Sequence, residues 1–364
     1  MARRWAPIFC VLFALLPASG EAQTRLRVAT WNIEDVGSSG STEYTAAHAV
    51  LARIDADVVC LNEISGAADV TNLQQLASDA GYSHVAVTSG APFGSDRNAV
   101  LSRYAFVGPA VEHTAAALSG DPAANDMTRL FLEVVIDVPG DAVDLTVVTQ
   151  HWKSGTGNDD EFRRSVESIR IGQALAALSS GVDAYVIAGD VNEESDGVPR
   201  TPNPLTSLPS GLPGAFSLGA DLAAQLFGAG IPNDPFGPLQ LAAGTDAVSG
   251  GALQRDGSDA TRPSAGRRLD YLLVSEALDG PGVAAEVYDS EDEGLAGTLT
   301  LAGSPLAASA SLAASDHFPV LVDLTVPARS AAVPALGWLG ASLLTLVVLV
   351  PGARAARRLP RRAG

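Results

Sequence analysis

The stretch AYVIAGDVNEESD (184–196) carries the pattern on which the fold assignment rests, an apolar strand that ends in polar residues. Its first half is rich in β-forming residues and is closed by Gly189, which is typical of a buried strand. Side chains alternate along a strand, so Asp190 and Asn192 are expected to project together. An aspartate can orient a water molecule or hold a metal ion, and an asparagine can donate to a phosphate oxygen. The pattern therefore indicates a strand that presents reactive groups at its end.

The preceding strand, LTVVTQHWKSG (145–155), also ends in polar residues. It places His151 and Lys153, the only lysine of the chain, on one face of the strand. A histidine and a cation on one face suit the binding of an anion.

Two strands near the N-terminus end in the same way. In ATWNIEDVG (29–37), alternation puts Asn32 and Glu34 on one face. In DADVVCLNEI (55–64), an apolar run leads straight into Asn62 and Glu63. A carboxylate at the end of a buried strand raises the free energy of the fold unless it is paired or bound to a metal ion.

The C-terminal half contributes RRLDYLLVS (267–275) and SDHFPVLVDL (315–324). Asp270 precedes an apolar strand, and Asp316 and His317 precede another. An aspartate that accepts from one imidazole nitrogen leaves the other nitrogen free to act as a base. Because strand ends of packed sheets converge, these six polar strand ends are expected to form one site.

The rest of the body alternates strand-like and helix-like stretches, which predicts one α/β domain with two sheets packed together and helices outside. The predicted strands are 26–33, 57–64, 84–88, 99–102, 130–138, 145–152, 185–190, 271–274 and 320–326. The predicted helices are 42–54, 70–80 and 160–178. Residues 195–265 are rich in Gly, Pro, Ser and Ala, and are expected to form long surface loops.

Composition limits the function. The 364 residues are 47% hydrophobic and 18% charged, which excludes an intrinsically disordered chain. Residues 23–330 contain 16 basic against 40 acidic residues, so this body is not an electrostatic clamp on nucleic acid. A metal cation must offset charge at any bound phosphate. With only Cys10 and Cys60, the chain holds no disulfide framework.

The N-terminus, MARRWAPIFCVLFALLPASGEAQ (1–23), has the order of a secretory signal. Two arginines precede an apolar run, and small residues follow it. Residues 1–22 are therefore interpreted as a signal peptide, with cleavage after Gly20 or Ala22.

The C-terminus, VPALGWLGASLLTLVVLVPGARAARRLPRRAG (333–364), combines an apolar span with an arginine cluster. The uncharged stretch within residues 331–353 is long enough to cross a bilayer, with the arginines on the cytoplasmic side. The segment 331–364 resembles the PEP-CTERM-like sorting tails of bacterial envelope proteins, which a sorting protease cuts. A simple anchor in the inner membrane is the alternative. Either interpretation places residues 23–330 in the cell envelope or the medium.

The ordered set WN, NE, H-x-K, GD-x-N, LDY and SDH resembles the endonuclease/exonuclease/phosphatase superfamily, the metal-dependent phosphodiesterases of the pancreatic-deoxyribonuclease type. The resemblance covers about residues 26–326. RNAVLSR (97–103) and TRLFLEV (128–134) also look like strands of this family, the second with a phosphate-side arginine. The resemblance implies a four-layer α/β sandwich in which two mixed β-sheets are flanked by helices, over a catalytic domain of residues 23–330.

The resemblance also implies a role for each polar strand end. His317 pairs with Asp270 as general acid or base, Asp190 orients the attacking water, and Asn192 and His151 contact the phosphate. The residues implied at the metal are Glu63, Asn32, Asp316 and Glu34, and the residues implied at the phosphate are Arg129 and Lys153. The implied cofactor is Mg²⁺, with Mn²⁺ as the alternative.

The expected function is that of a secreted or surface-anchored Mg²⁺-dependent nuclease. The stretch 153–170 is similar to bacterial secreted members of the family, some of them nucleases. The alternatives are a phosphatase or a phospholipase C-type hydrolase resembling sphingomyelinase, with a sugar phosphate or a phospholipid as substrate. A non-catalytic surface binding module is disfavoured because the set of reactive residues is intact. No obligate protein partner is evident from the sequence.

Overall fold

A pair of parallel strands lies at the centre of each of two β-sheets. The structure is a computed structural model that describes residues 24–179, 181–194, 211–212, 216–220, 252–280 and 282–329. The predicted signal peptide and the predicted C-terminal segment lie outside these residues, as does most of the predicted loop region. No helix within the described residues is both long and apolar enough to cross a membrane.

The elements of the fold are eleven strands and five α-helices in the described parts of the chain. The strands are β1 (Thr24–Asn32), β2 (Val58–Ser65), β3 (His84–Val87), β4 (Asp96–Ser102), β5 (Val111–His113), β6 (Phe131–Ile136), β7 (Leu145–His151), β8 (Tyr185–Asp190), β9 (Asp270–Val274), β10 (Ala284–Val287) and β11 (Val320–Val326). The helices are α1 (Thr42–Ile54), α2 (Gly66–Asp79), α3 (Ala115–Ser119), α4 (Asn158–Ala174) and α5 (Ala310–Ala314).

Both sheets are mixed. The first has the order β10-β11-β1-β2-β4-β3 and the second has the order β5-β6-β7-β8-β9. Strands β1 and β2 are parallel, as are β7 and β8, whereas every other pair is antiparallel. A parallel pair needs a crossover, and α1 and α4 provide it in the two sheets.

The apolar residues form layers that match the sandwich predicted from the sequence. The core between the sheets takes residues such as Val28 and Cys60 from the first sheet, and Val134 and Val147 from the second. A second cluster packs the outer face of the first sheet against α1 and α2, and a third packs the outer face of the second sheet against α3 and α4. The four-layer α/β sandwich is therefore confirmed.

The predicted elements differ from the observed ones mainly at their ends. Helix α2 begins at Gly66 rather than at residue 70, because it follows β2 directly. The Asp69 carboxylate, in the first turn of α2, accepts from the backbone N–H groups of Val36 and Ser65. The short edge strands β5 and β10 were not predicted, since three or four residues carry too little alternation to be recognised.

The Asn62 side chain joins the two sheets at the level of the polar strand ends. It is fully buried, and its Nδ2 donates to Asn98 Oδ1 at 2.7 Å and to the Gln150 carbonyl at 2.9 Å. Its Oδ1 accepts from the Asp190 backbone N–H at 2.9 Å. The Asn62 side-chain amide thus forms hydrogen bonds with β4, β7 and β8, and so fixes the position of one sheet relative to the other.

Gly189 is required by the close approach of β7 and β8. Its φ is 141°, and a Cβ at this position would lie 1.8 Å from the Gln150 carbonyl oxygen. The same carbonyl accepts from Asn62. A side chain at position 189 would therefore disturb both the parallel pair and the bridge between the sheets.

We expect Gly189→Ala to lower the free energy of unfolding by at least about 3 kcal/mol, because the methyl group has no space and the backbone is strained. Urea denaturation measures the change. Gly90→Ala is the control, since a Cβ there meets nothing within 4 Å. We expect the control to change stability by less than about 1 kcal/mol. Equal losses in the two variants would contradict the steric explanation.

Candidate active site

Strand register brings the polar ends of β7, β8 and β9 side by side. His151 is paired with Asp190 across the parallel β7–β8 ladder, and Asp190 with Asp270 across the antiparallel β8–β9 ladder. In the first sheet, Asn32 is paired with Asn62. All the strands that the sequence singled out therefore end at one edge of the sandwich.

Glu63 reaches this edge through an irregularity in β2. The register of β2 against β4 shifts between Leu61 and Ile64, and Glu63 has a left-handed backbone with φ of 64°. Such a bulge interrupts the alternation of side chains. As a result, Asn62 points between the sheets while the neighbouring Glu63 joins the cluster.

Asn32 links two carboxylates of the cluster. Its Nδ2 donates to Glu63 Oε1 at 2.9 Å and to Asp190 Oδ2 at 3.1 Å, and its Oδ1 accepts from the Glu34 backbone N–H. Glu34 has φ of 63°, and its side chain is exposed. The sequence placed Glu34 beside Asn32, but no hydrogen bond or ion pair of the described residues joins the Glu34 carboxylate to Glu63 or Asp190.

Glu63, His151 and Asp190 form a compact group of potential metal ligands. One ligand atom of each lies within 4.8 Å of the others. His151 Nε2 is 3.6 Å from Glu63 Oε1 and 3.7 Å from Asp190 Oδ2. Both ring nitrogens of His151 are buried and make no hydrogen bond. A buried imidazole without hydrogen bonds destabilises the fold, because its polar atoms remain unsatisfied. The ring nitrogens of His151 are therefore available to bind a ligand.

The electrostatics of the group favour a cation. Burial raises the pKa of Glu63, and burial together with the Asp270 charge raises the pKa of Asp190 to about 7. Burial, together with nearby positive charges, holds the pKa of His151 well below its usual value. Two desolvated carboxylates and a neutral imidazole form a donor set that fits a divalent metal ion.

His317 and Asp270 form a buried proton-transfer pair. His317 Nδ1 is 2.7 Å from Asp270 Oδ2, and Nε2 faces the cluster at 4.0 Å from Asp190 Oδ2. Burial is the largest single effect and lowers the pKa of His317, but the charge and hydrogen bond of Asp270, together with the charges of Asp190 and Asp316, raise the pKa to about 10. The predicted pairing of these two residues is thus present.

Asn192 lies beside the cluster rather than on a continued strand. Its backbone N–H donates to Asp190 Oδ1 at 2.8 Å, its Nδ2 donates to the Trp152 carbonyl at 3.1 Å, and its φ is 52°. Arg129 is buried nearby and is held by Asp96 Oδ2 at 2.7 Å, with its Nε unsatisfied.

Two predicted site residues have partners outside the cluster. Lys153 forms an ion pair with Asp160 at 3.1 Å, so its side chain follows α4 instead of sharing a target with His151. Asp316 pairs with Arg262 at 2.8 Å, although its Oδ1 remains 3.7 Å from His317 Nε2.

Several positioning residues were not identified from the sequence. Thr261 Oγ1 accepts from the Asp270 N–H, and its carbonyl accepts from the Phe318 N–H, so it connects the strands of the His317–Asp270 pair. Ser315 Oγ donates to the Asn32 carbonyl and accepts from the His317 N–H. The sequence could have indicated Ser315, because it lies two residues before His317 in the SDH motif. Thr261 lies in a loop, where no periodic pattern marks it.

Glu167 of α4 supports the site from behind. It is fully buried and accepts from the backbone N–H groups of Thr128 and Lys153, each at 2.7 Å. Burial raises its pKa. The contact fixes the segments that carry Arg129 and the end of β7.

The chain is similar to several solved structures. An endonuclease/exonuclease/phosphatase from Beutenbergia cavernae DSM 12333 is 22% identical, with a TM-score of 0.49, over 84% of this chain and 73% of that chain. Sphingomyelinase C from Streptomyces griseocarneus is 18% identical, with a TM-score of 0.50, over 82% of this chain and 99% of that chain. D. rerio TDP2 complexed with single strand DNA product is 17% identical, with a TM-score of 0.47, over 83% of this chain and 99% of that chain.

The family comparison covers the whole set of strand ends described above. The Endonuclease/Exonuclease/phosphatase family matches residues 29–317. This range begins two residues before the WN motif and ends at the histidine of the SDH motif. No curated protein matches the chain. The match includes the metal-fitting group and the His317–Asp270 pair, so the chain belongs to the Endonuclease/Exonuclease/phosphatase family and is a metal-dependent phosphoric ester hydrolase.

Proposed function

We propose that this enzyme is an exported Mg²⁺-dependent phosphodiesterase that hydrolyses nucleic acid. The observation that carries the proposal is the buried His151, which faces Glu63 and Asp190 with both ring nitrogens unpartnered beside the His317–Asp270 pair. Donors to an anionic oxygen, ligands for a cation and a proton-transfer pair are the three components that phosphodiester hydrolysis needs.

Glu63 and Asp190 would hold the ion, since their carboxylates are desolvated and lie on either side of the Asn32 amide. Oxygen ligands favour Mg²⁺ or Mn²⁺ over softer metals. When bound, the cation neutralises charge on the phosphoryl oxygens so that an anionic diester can be approached.

The protein groups divide the remaining work. Asp190 orients the attacking water, and the His317 imidazole, held by Asp270 through Nδ1, transfers a proton at Nε2. His151 and the Asn192 amide donate to phosphate oxygens, and a neutral His151 carries one N–H for this purpose. Arg129, which lies two residues before β6, adds positive charge to the site.

The substrate assignment rests on the similarity of residues 153–170 to bacterial secreted members of the family, some of which are nucleases. The acidic body disfavours broad contact with a duplex, so recognition must be local to the site. A phospholipid is the second candidate substrate, and the fold shared with a sphingomyelinase is compatible with it. Nucleic acids and phospholipids both contain a phosphodiester bond, so the same hydrolysis reaction applies to both.

Export rests on the two chain ends. The order of charge, apolar run and small residues in 1–22 supports a signal peptide, and the apolar span with its arginines supports a membrane segment or sorting tail at 331–364. The catalytic body between them would then act in the envelope or the medium.

We expect the purified protein to cleave plasmid DNA or RNA with Mg²⁺ and to lose this activity when a chelator removes the metal. Glu63→Gln should lower the rate at least about a hundredfold and abolish the rise in melting temperature caused by Mg²⁺. Glu133→Gln is the control, since that carboxylate pairs with His113 on β5. Full activity after exhaustive chelation would refute the metal assignment, and turnover of a phospholipid alone would replace the nuclease assignment.

His317→Ala is expected to lower kcat about 10²–10⁴-fold with Mg²⁺ binding retained, because the proton-transfer group is lost. Asp270→Asn should have nearly the same effect, since an amide neither fixes the tautomer nor stabilises the imidazolium. A substrate with an activated leaving group separates the roles. It should partly restore the His317→Ala rate if His317 acts as the general acid, and it should not rescue His151→Ala. Wild-type turnover in His317→Ala would show that the SDH motif is only a turn.

Mass spectrometry of the protein exported by a bacterial host is expected to show a chain that begins at residue 21 or 23. Removal of residues 331–364 should shift the protein from the membrane fraction to the soluble fraction. A chain that still begins at Met1 after export would refute the signal-peptide assignment.

A further inference from the structure

Helix α4 buries a row of charged side chains, and all but one of them have partners. Arg164 Nε binds Glu193 at 2.9 Å, Glu167 accepts from two backbone N–H groups, and Arg170 is paired with Asp126 at 2.6 Å. Arg163 is the exception. Helix α4 therefore contains a buried positive charge that the described residues do not neutralise.

Arg163 is held between two aromatic rings. Its guanidinium carbon lies 5.0 Å from the Phe93 ring centre and 5.1 Å from that of Phe216. The side chain is only 3% exposed, and its Nη2 has no hydrogen-bond partner. None of the described acidic residues forms an ion pair with it. Ring contacts stabilise a cation but leave Nη2 without a hydrogen-bond acceptor, so an anion bound at this side chain would stabilise the arrangement.

A cavity of about 450 Å³ lies at the first turn of α4, and Arg163 lines it. The other lining residues are Lys153, Gly157, Asn158, Asp159, Asp160 and Gly211. Helix α4 has 17 residues, and its N-cap, Gly157, has no side chain to accept from the N–H groups of the first turn. Asp159, Asp160 and Glu161 lie in this turn, and the Asp160 carboxylate accepts from the Gly157 N–H. A helix N-terminus of this kind attracts anions.

One of the two acidic residues of the cavity, Asp160, is engaged, whereas Asp159 forms no hydrogen bond or ion pair with the described residues. Asp160 accepts from the Gly157 N–H at 3.2 Å and pairs with Lys153 at 3.1 Å. The Asp159 carboxylate lies against Gly211, where a Cβ would be only 2.8 Å from Oδ2. Of the two cations that line this cavity, Lys153 is paired with Asp160, whereas Arg163 forms no ion pair with a described residue.

The cavity is close to the reaction centre. Lys153 follows His151 by two residues, so their Cα atoms are at most about 7 Å apart. A polynucleotide carries one phosphate per nucleotide, so a chain with one phosphate at the metal-fitting group presents further phosphates nearby. A single small diester has no such second group.

From these observations we infer that Arg163 and the first turn of α4 form a second phosphate subsite, which binds a phosphate of the substrate next to the scissile one. The inference rests on the proposed function and deepens it, because the enzyme then selects polynucleotides over isolated diesters. Arg163 is a binding residue in this assignment and takes no part in proton transfer.

The first test measures binding without catalysis. Inorganic phosphate is titrated into the purified full chain in excess chelator, by calorimetry and by melting temperature. We expect Arg163→Met to weaken phosphate binding at least about tenfold, since charge-assisted hydrogen bonds are lost. Arg103→Met is the control, because Arg103 is partly exposed and pairs with Asp55. Equal phosphate binding by wild type and Arg163→Met would overturn the inference, whatever the enzyme cleaves.

Folding is checked on the same helix. Arg163→Met removes a charge without a counterion and keeps an apolar stem between the two rings, so the variant should be at least as stable as the wild type. Arg170→Met removes one partner of a buried ion pair and should be strongly destabilised. A large loss of stability in Arg163→Met would show that Arg163 is structural and would overturn the inference.

The second test compares two substrates with Mg²⁺ present, a single-stranded oligonucleotide and bis(4-nitrophenyl) phosphate. Arg163→Met should raise KM for the oligonucleotide about tenfold and leave kcat within about twofold. The kinetic constants for the small diester should change less than about twofold. An equal loss on both substrates would place Arg163 at the reaction centre and contradict a separate subsite. If the wild type cleaves neither substrate, the proposed function fails, and the phosphate titration still decides whether the subsite exists.

Discussion

The arrangement of the site depends on one buried amide. Asn62 takes part in hydrogen bonds with β4, β7 and β8, and thereby sets the height at which the two sheets meet. The backbone N–H that it accepts belongs to Asp190, so the bridge between the sheets and the central carboxylate of the site are fixed by the same contact. Gly189 makes the contact geometrically available, because a side chain there would block the Gln150 carbonyl. Strand register therefore determines where His151, Asp190 and Asp270 lie, whereas Asn192 and His317 lie just outside the strands.

The site concentrates charge that the fold does not neutralise. Glu63 and Asp190 have raised pKa values through burial, His151 has no hydrogen-bond partner, and Asp270 Oδ1 is also buried without one. Unsatisfied groups of this kind reduce stability, and they cluster where a ligand is to bind. The surrounding contacts of Thr261 and Ser315 hold these groups in place, so that the geometry does not depend on the ligand.

The sequence was sufficient for the sandwich, because long apolar strands that end in polar residues have a clear period. The strand pattern also predicted that the ends carrying Glu63, His151 and Asp190 converge, whereas the pairing of His317 with Asp270 was implied by the resemblance to the family. The alternation of side chains gave wrong positions where the chain leaves a β-strand. Alternation predicted that Glu34 would accompany Asn32 and Lys153 would accompany His151, but Glu34 has a left-handed backbone and an exposed side chain, and an ion pair on α4 draws Lys153 away. Such turns and long-range pairs leave no periodic signal in the local sequence. The unpaired Arg163 was likewise invisible, since it is recognised only by the absence of a partner among the described residues.

The position of β11 has a consequence for the order of assembly. This last strand lies between β10 and β1, and the Trp31 indole binds the His317 carbonyl across 286 positions of sequence. A nascent chain is synthesised from its N-terminus, so β1 lacks one neighbour until almost the whole body has emerged. Contacts of such sequence separation form slowly, and the proton-transfer pair forms with them. A chain that ends before residue 317 therefore lacks both the proton-transfer pair and the strand that lies between β10 and β1.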